Sequence, residues 1–217
     1  LVVAATLRSA TAVTAGSRWV AQLAPPQHRD RIRPMPLGIE LAMFPPPLLR
    51  RGKRILIASS MIPLKDYPTM LRAAAIARTR IPELQIEIAG TGTDMERVRR
   101  LTFDLGISDA ITFLGFVPYE EMPAVFQRCD LLLHGSHYEA EGMVVIEALA
   151  AGMPVVATSV GIAAELPAGL VQQVPPGNAE TMAAALVRAF SSDTHPRQAV
   201  EAGPALVRER FTVQQVG

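Results

Sequence analysis

Short apolar runs and amphipathic stretches alternate along most of this chain. From Arg54 onward, residues 55–58, 84–89, 111–114, 131–133, 155–158 and 171–174 are short, mainly apolar runs with the length of strands. Between them, 69–80, 94–105, 120–128, 143–151 and 180–190 carry helical spacing, and a short turn of helix follows 155–158. Six short strands alternating with helices predict an α/β fold, a Rossmann-like parallel sheet with helices on both sides. Punctuation supports the helix starts: a capping-box pattern at Thr93 and Glu96, an N-cap at Asn178, a first-turn proline at Pro68. Residues 1–24 predict one further strand and a helix around 17–23. The stretch 25–47, with Pro25-Pro26, Pro34, Pro36 and Pro45-Pro46-Pro47, is expected to be irregular, extended and semi-rigid, as a connector between domains should be.

In open parallel sheets ligands bind beyond the carboxyl ends of the strands. The segments to inspect are therefore 59–66, 90–93, 115–118, 135–142, 159–164 and 175–178. Two carboxylates stand out. Glu139 and Glu147 have seven residues between them, one in the loop after a buried strand, the other inside the following helix. Between them the backbone N–H groups of Gly142, Met143 and Val144 open that helix, where unpaired donors and the positive dipole end favour an anion. An anion flanked by two hydroxyl-accepting carboxylates suits a nucleotide sugar, a diphosphate between two polyols. Glu141 is a rival acid in the same loop, and its charge is unfavourable beside a diphosphate unless it turns away or meets a sugar hydroxyl.

Composition narrows the class. The 217 residues are 49% hydrophobic with a net charge of +1, which describes a globular protein and not a nucleic-acid binder. Only Lys53 and Lys65 among the 21 basic residues are lysines, which draws the eye to Lys65 in the post-strand loop. The basic cluster Arg29, Arg31, Arg33, Arg50, Arg51, Lys53 and Arg54 reads as a solvated linker, with peripheral contact to anionic lipid or an acceptor phosphate as the other reading. Cys129 is alone and adjoins a strand, consistent with an inert buried thiol, no disulfide framework and a cytoplasmic, reducing setting. No stretch approaches the roughly 18 apolar residues of a membrane span, and no signal peptide is apparent.

Other constellations are weaker. Gly90-Thr91-Gly92 sits between strand and helix but lacks the third glycine of a dinucleotide fingerprint. His28, His134, His137 and His195 have no metal-ligand spacing, and His134, ending a strand, reads as a satisfied core histidine. No Ser-His-Asp or Cys-His set argues for a hydrolase.

Taken in order, several segments resemble the C-terminal, donor-binding domain of the family 4 (group 1) glycosyltransferases of the GT-B fold. They are Thr11 to Ser17, Arg33-Pro34-Met35-Pro36-Leu37-Gly38-Ile39-Glu40 through Phe44-Pro45, Pro63-Leu64-Lys65-Asp66, Ala89-Gly90-Thr91-Gly92, Phe113-Leu114-Gly115-Phe116-Val117-Pro118, the glutamate pair, and Pro175-Pro176-Gly177-Asn178. The resemblance implies a retaining transfer of sugar from a nucleoside diphosphate to an unknown sugar, lipid or small-molecule acceptor, with no metal or other cofactor. It assigns Lys65 to the leaving diphosphate, Glu139 to the sugar, Glu147 to the ribose, and the turn at Gly90 to the nucleotide's neighbourhood; Phe116 and Val117, after the third strand, are candidates either to flank the base or for a core or rim role. Ser60 stands where the family usually has arginine, so Arg54 or an arginine outside the chain would have to compensate. The resemblance divides the chain into 1–47, a remnant of the acceptor domain with the interdomain crossover, and 48–217, the nucleotide-sugar-binding domain. On that division the chain, from Leu1 to Gly217, is expected to be a fragment cut at both ends. Two alternatives accompany this expectation: a non-catalytic nucleotide-binding module of the same fold, and a nucleotide-sugar epimerase. A dinucleotide oxidoreductase is more distant.

Overall fold

The computed structural model describes residues 9–44, 48–49, 52–192 and 194–216. Pro45–Pro47, Arg50, Arg51, Gly217, the chain start and the His195 side chain lie outside the described residues. Strand β1 is Val13–Ala15, followed by helix α1, Arg18–Leu23, whose Ser17 N-cap accepts the Val20 N–H. Strand β2, Ile32–Pro34, runs parallel to β1. The proline-rich stretch is thus not irregular throughout, as expected, but holds this strand and two 3₁₀ turns, Pro26–Arg31 and Leu41–Met43. Pro34 is tolerated because it closes the strand, where its missing N–H breaks no internal ladder bond.

The remaining elements form the predicted α/β series. They are β3 Arg54–Ala58, α2 Tyr67–Arg78, β4 Gln85–Ala89, α3 Met95–Asp104, β5 Ile111–Gly115, α4 Met122–Arg128 and β6 Leu131–His134. Next come α5 Met143–Ala150, β7 Val155–Thr158, β8 Val171–Val174, α6 Ala179–Ser191, α7 Thr194–Arg210 and α8 Val213–Val216. Strands β3 to β8 make one parallel sheet in the order β5-β4-β3-β6-β7-β8.

Side-chain alternation splits the core between the two faces. Ile55, Ile57, Leu131 and Leu133 join Met70 and Leu71 of α2 and Met182 and Leu186 of α6. Leu56, Leu132 and Val155 face the other way, toward Val145 and Leu149 of α5 and Val207 of α7. Cys129 is buried in this second cluster, where burial pushes its thiol up to about 12.

Two local expectations need correction. Thr93 does not cap α3; the helix begins one residue later, with Asp94 at its N-cap, no side-chain capping bond, and the Asp94 N–H bonded to the Met61 carbonyl. Helix α7 has no counterpart in the sequence reading, since Gly203-Pro204 in its middle looks like a break. Here Gly203 is the crossing point: a Cβ on it would lie 2.7 Å from the Leu149 carbonyl oxygen of α5. Asn178 does cap α6, its Oδ1 accepting the Thr181 N–H at 2.8 Å.

The strand order creates a crevice. The chain moves outward from β3 to β5, then returns to place β6 on the other side of β3. Between the ends of β3 and β6 the connections diverge, which opens a crevice at the switch point.

Candidate active site

Lys65 arrives at the crevice from the 3₁₀ turn Pro63–Lys65 that follows β3. Glu139 arrives from the loop after β6. The two meet, with Lys65 Nζ 2.5 Å from Glu139 Oε1. Ser136 Oγ donates to the same oxygen at 2.7 Å, and His134 Nε2 lies 2.9 Å from it. Burial alone would raise the Glu139 carboxyl, but His134, Lys65 and Ser136 outweigh it and hold the group down at about 2. All three neighbours converge on Oε1; Oε2 makes no hydrogen bond among the described residues.

Glu147 lies in the second turn of α5 and makes no side-chain hydrogen bond or ion pair among the described residues. Burial pushes its carboxyl up to about 7. It lines a cavity of about 290 Å³ together with Ser60, Gly90, Phe116, Val117 and Val144. Lys65, Glu139, Gly142 and Met143 lie outside that lining. Gly142 lies beside Glu139, where a Cβ would come within 3.6 Å of Glu139 Cγ, and Val144, two residues further along α5, lines the cavity.

Helix α5 opens without a cap. Gly142 takes a left-handed conformation (φ 92°) that L side chains resist, and no side chain bonds the first turn. Among the described residues the backbone N–H groups of Gly142, Met143 and Val144 make no hydrogen bond, so three donors at the positive end of the helix stay open.

Glu141, the rival acid, is committed elsewhere. Its carboxylate accepts the Leu37 N–H at 2.5 Å and lies over Gly16, while its carbonyl accepts the Ile162 N–H. Burial raises its carboxyl above the ordinary range. Arg54 also turns out to be unavailable: it starts β3, at the opposite end of the strand, and pairs with Glu87, which Arg128 bonds as well. Lys53, Arg29 and Arg31 bond the carbonyls of Phe190, Ala24 and Ala10, so much of the basic cluster is spent on the chain itself.

Sequence reasoning missed two members of the site. Ser136 was visible only as part of the motif around Glu139. His134 is not a satisfied core histidine: it is buried, yet its Nε2 has no well-aligned hydrogen bond and faces Glu139. Its only signal in the sequence is a polar residue closing an aliphatic strand, five residues before the glutamate.

Comparison with known proteins gives a consistent picture. The chain is 34% identical over 146 residues to a D-inositol 3-phosphate glycosyltransferase of Pseudarthrobacter chlorophenolicus, covering 61% of this chain and 35% of that protein. It is 33% identical over 153 residues to a GDP-mannose-dependent alpha-(1-6)-phosphatidylinositol monomannoside mannosyltransferase of Mycobacterium tuberculosis, covering 66% of this chain and 39% of the relative. The chain therefore spans little more than a third of the length of these relatives. Among solved structures, HepE of Anabaena in complex with UDP and glucose superposes with a TM-score of 0.85 at 20% identity, over 99% of this chain and 63% of that one. Sucrose-phosphate synthase of Thermosynechococcus elongatus gives 0.86 at 24% identity, over 98% of this chain and 57% of its own. Both likenesses establish the GT-B type of parallel sheet flanked by helices. A family model described as "Glycosyl transferases group 1" matches residues 41–205, from the turn that ends the connector into the last long helix, and the chain belongs to that family.

Proposed function

We propose that this chain is the donor-binding part of a retaining glycosyltransferase, which moves a sugar from a nucleoside diphosphate to a sugar, lipid or small-molecule acceptor. The observation that carries the reading is the open first turn of α5, set between an unbonded Glu147 and an anchored Glu139. Glu147 accepts the two ribose hydroxyls of the nucleotide, a geometry that a carboxylate matches well. The N–H groups of Gly142, Met143 and Val144 and the Lys65 ammonium hold the diphosphate and stabilise the charge it gains on leaving. Glu139, fixed through Oε1, offers Oε2 to a hydroxyl of the transferred sugar. Phe116 and Val117 flank the base, and Ser60 and Gly90 border the nucleotide. No metal is required, because the lysine and the helix end supply the positive charge. The acceptor attacks on the face from which the diphosphate departs, which retains configuration. Residues 1–47 then belong to the acceptor side and the crossover, and 48–217 to the donor domain. The names of the relatives, which include a phosphorylated inositol and a phosphatidylinositol mannoside, support an acceptor bearing phosphate.

The test is isothermal titration of the chain with UDP, GDP and ADP. One of the three binds, and Glu147→Ala weakens that binding by about 1–3 kcal/mol, the usual cost of losing charge-assisted hydrogen bonds. Equal affinity in the variant removes the ribose assignment.

A further inference from the structure

His134 has no task in the proposed transfer. It closes β6 on the face shared with Leu132, beneath the start of α5; a Cβ on Gly142 would lie 3.9 Å from its Nε2. That nitrogen is buried, stands 2.9 Å from Glu139 Oε1, and is off the line of a good hydrogen bond. The oxygen is occupied by Lys65 and Ser136. Lys65 therefore faces two demands. In the crevice its ammonium neutralises Glu139, whereas the leaving diphosphate needs the same charge. Ser60, at the mouth of the cavity, brings no second cation. A buried carboxylate deserted by its cation is strongly penalised unless another donor replaces it. His134 is that donor, already at bonding distance and needing only a small reorientation to align.

We propose that His134 is a positioning residue that takes over Glu139 Oε1 when Lys65 turns to the diphosphate, so that the ammonium is released without stranding the carboxylate. This rests on the proposed binding of a diphosphate between Lys65 and the start of α5. It makes binding of a diphosphate, specifically, depend on a histidine that does not touch it.

The experiment compares UDP with UMP, GDP with GMP and ADP with AMP by titration calorimetry, on the wild type, His134→Phe, and the double variant His134→Phe/Glu139→Gln. Expected is a loss of diphosphate affinity of roughly tenfold or more in His134→Phe, the equivalent of one charge-assisted hydrogen bond, with monophosphate affinity unchanged. The added Glu139→Gln restores diphosphate affinity, because a neutral amide no longer retains Lys65; the non-additivity is the signature of coupling. If His134→Phe fails to fold by circular dichroism, His134→Ala carries the same comparison. Equal loss for mono- and diphosphate shows a merely structural histidine and overturns the proposal, as does an unchanged diphosphate affinity. A wild type that binds none of the diphosphates overturns the donor-site reading itself.

Discussion

Glu139 and Glu147 are chemically identical, and the fold drives them to opposite ends of the carboxylate range. Glu139 is surrounded by donors and held at about 2, whereas Glu147, half-buried without one, is pushed up to about 7 by desolvation. Their linkage to stability has opposite sign. The depressed group contributes stability above its ordinary value of 4.5, and this is lost as pH falls through about 2. The raised group contributes below 4.5, and its contribution is lost as pH rises through about 7. We expect Glu147→Gln to remove that second loss, so that the variant gains relative to wild type in thermal melts taken above pH 7. A diol pairs best with the ionised form, so nucleotide binding through the proposed Glu147 contact is expected to expel a proton from Glu147 near neutrality. Titration in buffers of different ionisation enthalpy should show that release, and Glu147→Gln should abolish it. Binding without proton release in the wild type would contradict the ribose assignment.

At the scale of elements, the strands were the most legible part of the chain. Short apolar runs recurring between helical stretches point to strands of a covered parallel sheet, and 155–158 and 171–174 appear with the predicted bounds, although Gln172 and Gln173 leave the edge strand β8 only partly buried. Helix α7 was hidden because Gly203-Pro204 signals a break locally, while its meaning is a contact between distant elements. The Leu149 carbonyl of α5 approaches where only glycine leaves room. We expect Gly203→Ala to cost about 1–3 kcal/mol in chemical denaturation, the range for forcing extra volume into a packed crossing. A neutral result would mean that α5 and α7 separate easily. The open start of α5 could be inferred from Gly142, but its fit beside Glu139 depends on how the loop after β6 folds back.

At the scale of the molecule, the loop after β6 is clamped to the segment that precedes the large sheet. Glu141 accepts the Leu37 N–H, Ser17 Oγ donates to the Ala140 carbonyl, the Trp19 N–H bonds Glu165, and the Trp19 and Tyr138 rings stack 5.5 Å apart. At the far end of the chain Ile39 bridges to Thr212. Glu141→Ala should therefore speed amide hydrogen exchange at Leu37 and in the loop after β6 while leaving β3 and β6 protected. Unchanged exchange at Leu37 would show that the clamp does not depend on Glu141. By itself, the sequence determined the α/β class, the parallel sheet and the family, and it pointed to the loops of the candidate site, because apolar period and short motifs are local properties. Only the tertiary structure decided that Glu141 turns to the crossover, that Arg54 lies at the wrong end of its strand, and that His134, Lys65 and Ser136 share one oxygen of Glu139. Each of these is a distance between residues far apart in the chain or on different sides of a strand, and such distances are set by how the elements pack.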